Sequence, residues 1–157
     1  DYCIILSTAH SKSGTWKFGM LEPKYENHPC NVWARLSKQN YERLAELTVA
    51  LCNEFSRRYS IRHTLTDVAM ELAMNVPSKL RDTGITKWSL SMPTEYAYVD
   101  AVHSYREYYK AEKSTIAQWK HSERPEWYPE ELLQDVVVDS EAELKRYLLS
   151  LLNIKQK

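Results

Sequence analysis

The segment 38–59, "KQNYERLAELTVALCNEFSRRY", decides the fold class of this chain. Its apolar residues recur at spacings of three and four, which places them on one side of an α-helix. They are Tyr41, Leu44, Leu47, Leu51, Phe55 and Tyr59. Ser37 stands just before the segment and is a residue type that caps helix N-termini. The segment therefore predicts a long helix with one buried face.

Outward from this helix, the remaining sequence also favours α-structure. The chain has only three glycines in 157 residues, and it is rich in the helix formers Leu, Ala, Glu and Lys. Pro29 suits the first turn of a helix, and Asp100 predicts the N-cap of a helix that runs to about Lys120. The segment 76–98 is punctuated by proline and glycine and predicts a long loop. We expect an all-α fold over residues 1–157, a compact single-domain helical bundle with long irregular loops.

The two ends of the chain differ from its middle. Asp1 is followed at once by "YCIILSTAH", which is typical of the last turns of a helix and indicates that an N-terminal portion is missing. The range 123–143 holds eight acidic residues and a single basic one, Arg124. Ser140 predicts the N-cap of a final helix. We therefore expect an acidic C-terminal helical extension over residues 123–157.

Overall composition excludes several classes of protein. Lys+Arg 21 balance Asp+Glu 21, so the net charge does not draw the whole molecule to nucleic acid or membranes. Cys3, Cys30 and Cys52 are odd in number and never form a C-x-x-C pair. The chain has no apolar run long enough to span a bilayer, no signal-peptide pattern and no phosphate-binding glycine loop. The sequence predicts a cytoplasmic protein with no membrane partner, no cofactor and no metal.

A stripe of basic side chains follows the predicted helix after Asp100. At about 100° per residue, Arg106, Lys110, Lys113 and Lys120 lie within roughly 80° of one another. The neighbouring face carries Tyr105, Tyr109, Ile116 and Trp119. Basic side chains beside aromatic ones suit phosphates on one side and bases on the other. The alternative is the solvated edge of an ordinary amphipathic helix.

A second basic group, "RRYSIRH" at 57–63, follows the long helix. Its members Arg57, Arg58, Arg62 and His63 could clamp a phosphate. Alternatively, their charges favour the negative end of the helix dipole.

Two residues are candidates for acid or base chemistry. Glu112 falls within the aromatic face of the predicted helix, where a desolvated carboxylate could act as an acid or a base. The alternative is a helix break near 112–114, which lets this carboxylate reach solvent or Lys113. His28, just before Pro29, could bind a substrate or transfer a proton, or it could be a helix cap.

Two stretches, "NHPCNVWARLSKQNYERLAELTVALCNEFSRRY" (27–59) and "DAVHSYREYYKAEKSTIAQWKHSERPEWY" (100–128), together resemble a group of small phage-encoded proteins. More distantly, they are similar to the pyrimidine-dimer DNA glycosylases of the phage endonuclease V type. The resemblance covers roughly residues 28–59 and 92–128. It implies a compact all-α protein in the cytoplasm of an infected host cell, which binds damaged or modified duplex DNA, kinks it and cleaves a glycosidic bond.

The resemblance also suggests a role for "RPEWY", residues 124–128. Trp127 and Tyr128 would stack against bases or wedge beside them, with Arg124 on a phosphate. The alternative is a hydrophobic plug that closes the helical core.

The chain departs from this family at the catalytic residues. The family uses its N-terminal amine as a Schiff-base nucleophile, together with a glutamate on the first helices. Asp1 begins what reads as a helix, and "CIILSTAH" contains no acid. Two hypotheses stay open: a glycosylase or lyase, or another base-modifying enzyme, that acts on a flipped pyrimidine, and a non-enzymatic phage factor that docks on DNA or on a host or phage protein.

Overall fold

A computed structural model describes residues 1–119 and 121–132, and this part of the chain is all-α, as predicted. It contains five α-helices and three short 3-10 turns, and within these residues the only β-type pairing is an isolated bridge between Phe18 and Met20. The helices are α1 (Tyr2–Ser13), α2 (Pro29–Ala34), α3 (Lys38–Tyr59), α4 (Thr66–Met74) and α5 (Ala101–Glu112).

The long helix α3 forms as the sequence predicts. Ser37 caps it, because its Oγ accepts a hydrogen bond from the backbone N–H of Asn40 at 3.1 Å. Leu47, Leu51 and Tyr59 differ from the prediction, since all three are exposed. The buried face turns toward Thr48 and Cys52, because α4 and its preceding loop pack on that side of the helix.

The other helix starts are also set by local side chains. Pro29 occupies the first position of α2, and Asp100 Oδ1 caps α5 by accepting from His103 N–H at 2.7 Å. The end of α5 was predicted wrongly, because the helix ends at Glu112, well short of Lys120. A 3-10 turn at Ser114–Ile116 follows, after which the chain turns back.

The core lies between α1, α2, α3 and α4. Its fully buried apolar residues include Leu6, Tyr41 and Leu72, one from each of α1, α3 and α4. A polar chain connects the same helices: His10 Nε2 lies 3.0 Å from the Tyr41 hydroxyl, which donates to the Leu72 carbonyl at 2.9 Å. His10 Nδ1 lies 2.9 Å from Thr15 Oγ1. Both ring nitrogens of this buried histidine are therefore hydrogen-bonded, which offsets the cost of burying them.

The segment 76–98 is irregular apart from a single 3-10 turn beginning at Thr94, which confirms the predicted long loop. It is nevertheless fixed to the core. Trp88 stacks on Trp33 with ring centroids 4.4 Å apart and planes 20° apart. Asn40 holds Thr86 through two hydrogen bonds, one from its Nδ2 to Thr86 Oγ1 at 2.7 Å and one to its Oδ1 from Thr86 N–H at 2.8 Å.

Two parts of the sequence predictions fall outside the described residues. These are Lys120 and the acidic extension from 133 onward, with its predicted cap at Ser140. The beginning of the extension forms a single 3-10 turn at Glu130–Leu132. None of the helices in the described part of the chain has both the length and the apolarity to cross a membrane.

Candidate nucleic-acid interface

An aromatic cluster forms where the chain turns back after α5. It consists of Tyr109, Trp119, Trp127 and Tyr128. The ring centroids of Trp119 and Tyr128 are 4.6 Å apart, and Tyr109 meets Trp127 at 5.9 Å and Tyr128 at 6.0 Å. Tyr109 approaches both edge to face, a preferred geometry for aromatic pairs. The cluster thus brings Trp127 and Tyr128 together with two residues of the predicted aromatic face.

The segment "RPEWY" is a tight turn that gives its two aromatic residues different environments. The Tyr128 N–H donates to the Pro125 carbonyl at 3.0 Å, and Arg124 Nη1 donates to the Tyr128 carbonyl. Tyr128 is fully buried, whereas Trp127 is half-buried. Burial, and then the neighbouring Tyr109, raise the pKa of Tyr128. Tyr128 is therefore the plug, and Trp127 is the ring with an open side.

Cations lie over the rings of this region. The Arg106 guanidinium carbon is 5.5 Å from the Trp127 ring centroid, and that of Arg58 is 5.9 Å from the Trp119 ring. Farther along, Lys113 Nζ lies 5.4 Å from the ring of Tyr108. Distances below about 6 Å give a favourable cation–π interaction. Basic side chains therefore lie over aromatic rings at three places in this region. Tyr108 falls about 160° around α5 from Arg106, so the three pairs do not form the single stripe that the sequence predicted.

Arg58 joins the aromatic cluster to α3. Its Nη1 donates to the Gln118 carbonyl at 2.6 Å, and its Nε donates to Glu54 Oε1 at 2.6 Å. Burial pushes the pKa of Glu54 upward, but hydrogen bonds from Arg58 and Arg57 outweigh it and leave this pKa below its ordinary value. Arg58 thus anchors the cluster and is not simply a free phosphate ligand.

The other predicted basic residues are mostly paired with carboxylates. Arg57 pairs with Glu54 and Lys110 with Glu107, each three residues away on the same helix. Arg62 holds Asp67 through two hydrogen bonds of 2.7 and 2.5 Å, which lowers the pKa of that carboxyl. The side chains of these pairs lie at the surface, where water screens their charges. Each pair therefore contributes little to the free energy of unfolding.

His63 has a structural position in the turn before α4. Its Nδ1 accepts from the Leu65 N–H at 3.1 Å and lies 3.7 Å from Cys52 Sγ. Desolvation lowers the pKa of His63. The structure therefore places this residue at the start of α4, where its ring nitrogen serves as an acceptor within the fold.

The two candidates for acid or base chemistry are not brought together. Glu112 is exposed at the end of α5 and accepts a hydrogen bond from the Tyr96 hydroxyl at 2.8 Å, which raises the pKa of Tyr96. His28 caps α2, with its Nδ1 accepting from the Cys30 N–H at 3.2 Å. The helix break and the helix cap, both considered from the sequence, are therefore confirmed.

Reasoning from the sequence missed two residues of this region. Glu54 stands three and four positions before Arg57 and Arg58, and this spacing alone indicates ion pairs on a helix. Tyr108 offers no such signal, because its contact with Lys113 depends on where α5 ends.

Beside the aromatic cluster, Arg57 and Arg124 line an open recess together with Glu123 and Glu126. The recess carries both signs of charge and is not a simple anion site. Among the residues that the structure describes, no group of three His, Cys, Asp or Glu side chains could hold a metal ion. No protein-family model, no curated protein and no solved structure matches this chain.

Proposed function

We propose that this chain binds single-stranded or lesion-bearing DNA through the surface formed by α5 and the aromatic cluster. One observation carries the proposal: Trp127 is half-buried on a fixed turn, with Arg106 over its ring. A ring held in this way loses little conformational freedom when a base stacks on it. Unstacked bases bind such rings without sequence preference, at about 1–3 kcal/mol per base.

Arg106 and Lys113 supply the electrostatic part of the proposed interface. Neither has a carboxylate partner in residues 1–119 and 121–132, and each lies over an aromatic ring. In single-stranded DNA, each neutralised phosphate contributes roughly −0.7 to the slope of log affinity against log salt. Two phosphate contacts therefore predict a shallow dependence of affinity on salt. In such a complex, stacking of bases on aromatic rings contributes more to the binding free energy than the phosphate contacts do.

The proposal concerns binding and not cleavage of a glycosidic bond. The Glu112 carboxylate is engaged by Tyr96, and the His28 ring is engaged by the α2 N-terminus. Glycosylase or lyase activity on a flipped pyrimidine, and a phage origin, stay predictions of the resemblance.

Substitution of Trp127 by alanine tests the stacking role. We expect affinity for a labelled single-stranded oligonucleotide to fall by about 5–150-fold, the equivalent of 1–3 kcal/mol. The matched control is Trp16→Ala, which removes a partly exposed tryptophan from the loop after α1. Fluorescence anisotropy measures both affinities, and thermal melts show whether each variant stays folded. Equal losses in the two variants would contradict the proposed interface.

A salt titration tests the electrostatic part separately. Arg106→Gln and Lys113→Gln should each flatten the slope by roughly 0.7. Lys12→Gln is the control, because Lys12 is an equally charged residue that pairs with Glu26 away from α5. Absence of any binding at low salt overturns the proposal and favours the alternative, a factor that docks on a protein.

A further inference from the structure

The long helix α3 carries apolar side chains on its outer side as well as in the core. Leu47 and Leu51 are 37% and 48% exposed, and Ala50 is exposed between them. Residues three and four apart are neighbours on a helix, so these side chains form one continuous surface, which we call the Leu51 strip. The outer side of a helix is ordinarily polar. The strip departs from that pattern in the part of the chain that the structure describes.

The Leu51 strip continues a contact that α3 already makes. At about 100° per residue, Leu47, Leu51 and Arg58 lie within roughly 40° of one another around the helix. Arg58 donates to the Gln118 carbonyl, and its guanidinium lies over the Trp119 ring. The chain that follows α5 therefore packs on this side of α3 about two helical turns, or roughly 10 Å, from Leu51.

The chain beyond Leu132 is long enough to reach the strip. Tyr128 belongs to the aromatic cluster that Arg58 joins to α3, and its hydroxyl donates to the Leu132 carbonyl at 3.5 Å. Residues 133–139 span up to about 23 Å when extended, at roughly 3.3 Å per residue. That reach is about twice the distance along α3 from Arg58 to the strip.

The sequence after this linking segment supplies a second apolar side. Four apolar residues of the helix predicted to begin at Ser140 lie within about 100° of one another. They are Leu144, Tyr147, Leu148 and Leu151. Arg146 and Ser150 fall on the opposite side. This helix lies outside the described residues, and its pattern is that of a helix with one packed face.

We propose that residues 140–152 form a helix that packs its apolar side on the Leu51 strip of the same chain. The strip is continuous with the contact at Arg58, and the intervening segment is long enough to span the distance. Ala50 is small, so two helices can approach closely beside it. A short linking segment also gives the helix a high effective concentration at the strip, so a contact of a few leucines is populated within one molecule.

Trypsin cleavage of the full chain tests this contact, because Lys145 and Arg146 lie within the predicted helix. Cleavage there follows the fraction of molecules in which the helix is released. Leu51→Asp should speed it at least about fivefold, since an unpaired carboxylate is costly in an apolar contact. The control is Met70→Asp on α4, where the side chain is 45% exposed, and its rate should stay within about twofold of the unaltered chain.

Mass spectrometry follows the cleavage, and circular dichroism checks that both variants stay folded. Equal cleavage rates in Leu51→Asp and the unaltered chain overturn the proposal. Equal acceleration in Leu51→Asp and Met70→Asp also overturns it, because a general loosening of the fold would then explain both.

Substitutions in the C-terminal segment test the other side of the contact. Leu151→Asp should speed cleavage about as much as Leu51→Asp, whereas Ser150→Asp, on the opposite side of the predicted helix, should not. Leu51→Asp combined with Leu151→Asp should add nothing further, because each change removes the same contact. Effects that multiply in the double variant overturn the proposal.

Protein concentration distinguishes a contact within one molecule from a contact between two. Protection within one molecule is the same at about 1 μM and at about 100 μM, because the effective concentration is set by the linking segment. Protection that grows with concentration would place the helix on a second copy and overturn the proposal.

Discussion

The helical core and the aromatic cluster use different means to hold the chain together. The core of α1 to α4 buries apolar side chains around a hydrogen-bonded histidine and tyrosine, both of which are inaccessible to solvent. Helix α5 buries only Ser104, and the cluster beside it is built from rings and the cations over them. The surface that we propose to bind DNA keeps part of the Trp127 ring open, whereas the core encloses its aromatic side chains fully.

The two regions are connected at few points, and Arg58 is the best defined of them. The difference between a closed core and an open cluster can therefore be tested by substitutions on either side of this connection.

The largest effect is expected in the core. Leu72→Ala should lower the free energy of unfolding by about 2–5 kcal/mol, because Leu72 is fully buried and a cavity remains. Leu51→Ala is the control on α3, where the same side chain is 48% exposed and the loss should be well below that of Leu72. Urea denaturation followed by circular dichroism measures both. Similar losses would show that the core is not as closed as described.

A smaller effect is expected at the connection. Arg58→Met removes two hydrogen bonds from a charged donor, to Gln118 and Glu54, and a cation–π contact, at a cost of about 1.5–3 kcal/mol. Arg57→Met is the matched control, because Arg57 pairs with the same Glu54 but is 62% exposed, and we expect a change within about 0.5 kcal/mol. Tryptophan fluorescence alongside circular dichroism would show whether the cluster loosens before the helices unfold.

Removal of a helix cap should also destabilise the core more than α5, although by less than the substitutions above. Ser37 caps α3 in a fully buried position, and Asp100 caps α5 in an exposed one. We expect Ser37→Ala to cost about 1–2 kcal/mol and Asp100→Ala about 0.5–1 kcal/mol. Chemical denaturation gives both values, and hydrogen exchange of α5 detects fraying after Asp100→Ala. The opposite order would contradict the assignment of α5 to the weaker region.

The smallest expected effect is a loss of folding stability through protonation of His10. It is absent near pH 7.5 and develops only at lower pH. Desolvation lowers the pKa of His10 below its ordinary value of 6.5, so the unfolded chain takes up this proton first. Stability is therefore fully present above about pH 6.5 and falls as the pH drops below it. His10→Asn should flatten this dependence between pH 7.5 and 5.5, with a remainder from His63, whose pKa burial also lowers. An unchanged pH dependence would contradict the role of His10.

The sequence predicted elements whose signals are local. The periodicity of α3, its cap at Ser37 and the cap of α5 at Asp100 all depend on residues within one helical turn. The sequence left the end of α5 open between about Lys120 and a break near 112–114, because the apolar periodicity continues to Trp119, whereas the chain turns back after Glu112. That turn is favoured by distant contacts, chiefly those of Trp119 with Tyr128 and Arg58.

The candidate site shows the same limit. Sequence spacing placed Arg106 and Lys113 on one stripe, and the resemblance separately indicated Trp127. The structure brings Arg106 onto Trp127. The sequence could not show that Tyr128 is buried while Trp127 is half-buried. Two adjacent aromatic residues differ in exposure only through their packing against rings that are distant in the sequence. The pairing of Arg62 with Asp67 likewise depends on the turn between α3 and α4.

The stack of Trp33 on Trp88 gives the molecule a built-in optical probe. Two indoles in near-parallel contact at 4.4 Å couple their strongest electronic transitions, which should produce a paired positive and negative signal in the far-ultraviolet circular dichroism. Trp119 and Trp127 lie in the other region, where cations and tyrosines surround them. The folding of the irregular segment 76–98 onto the core can therefore be followed in real time without any attached label.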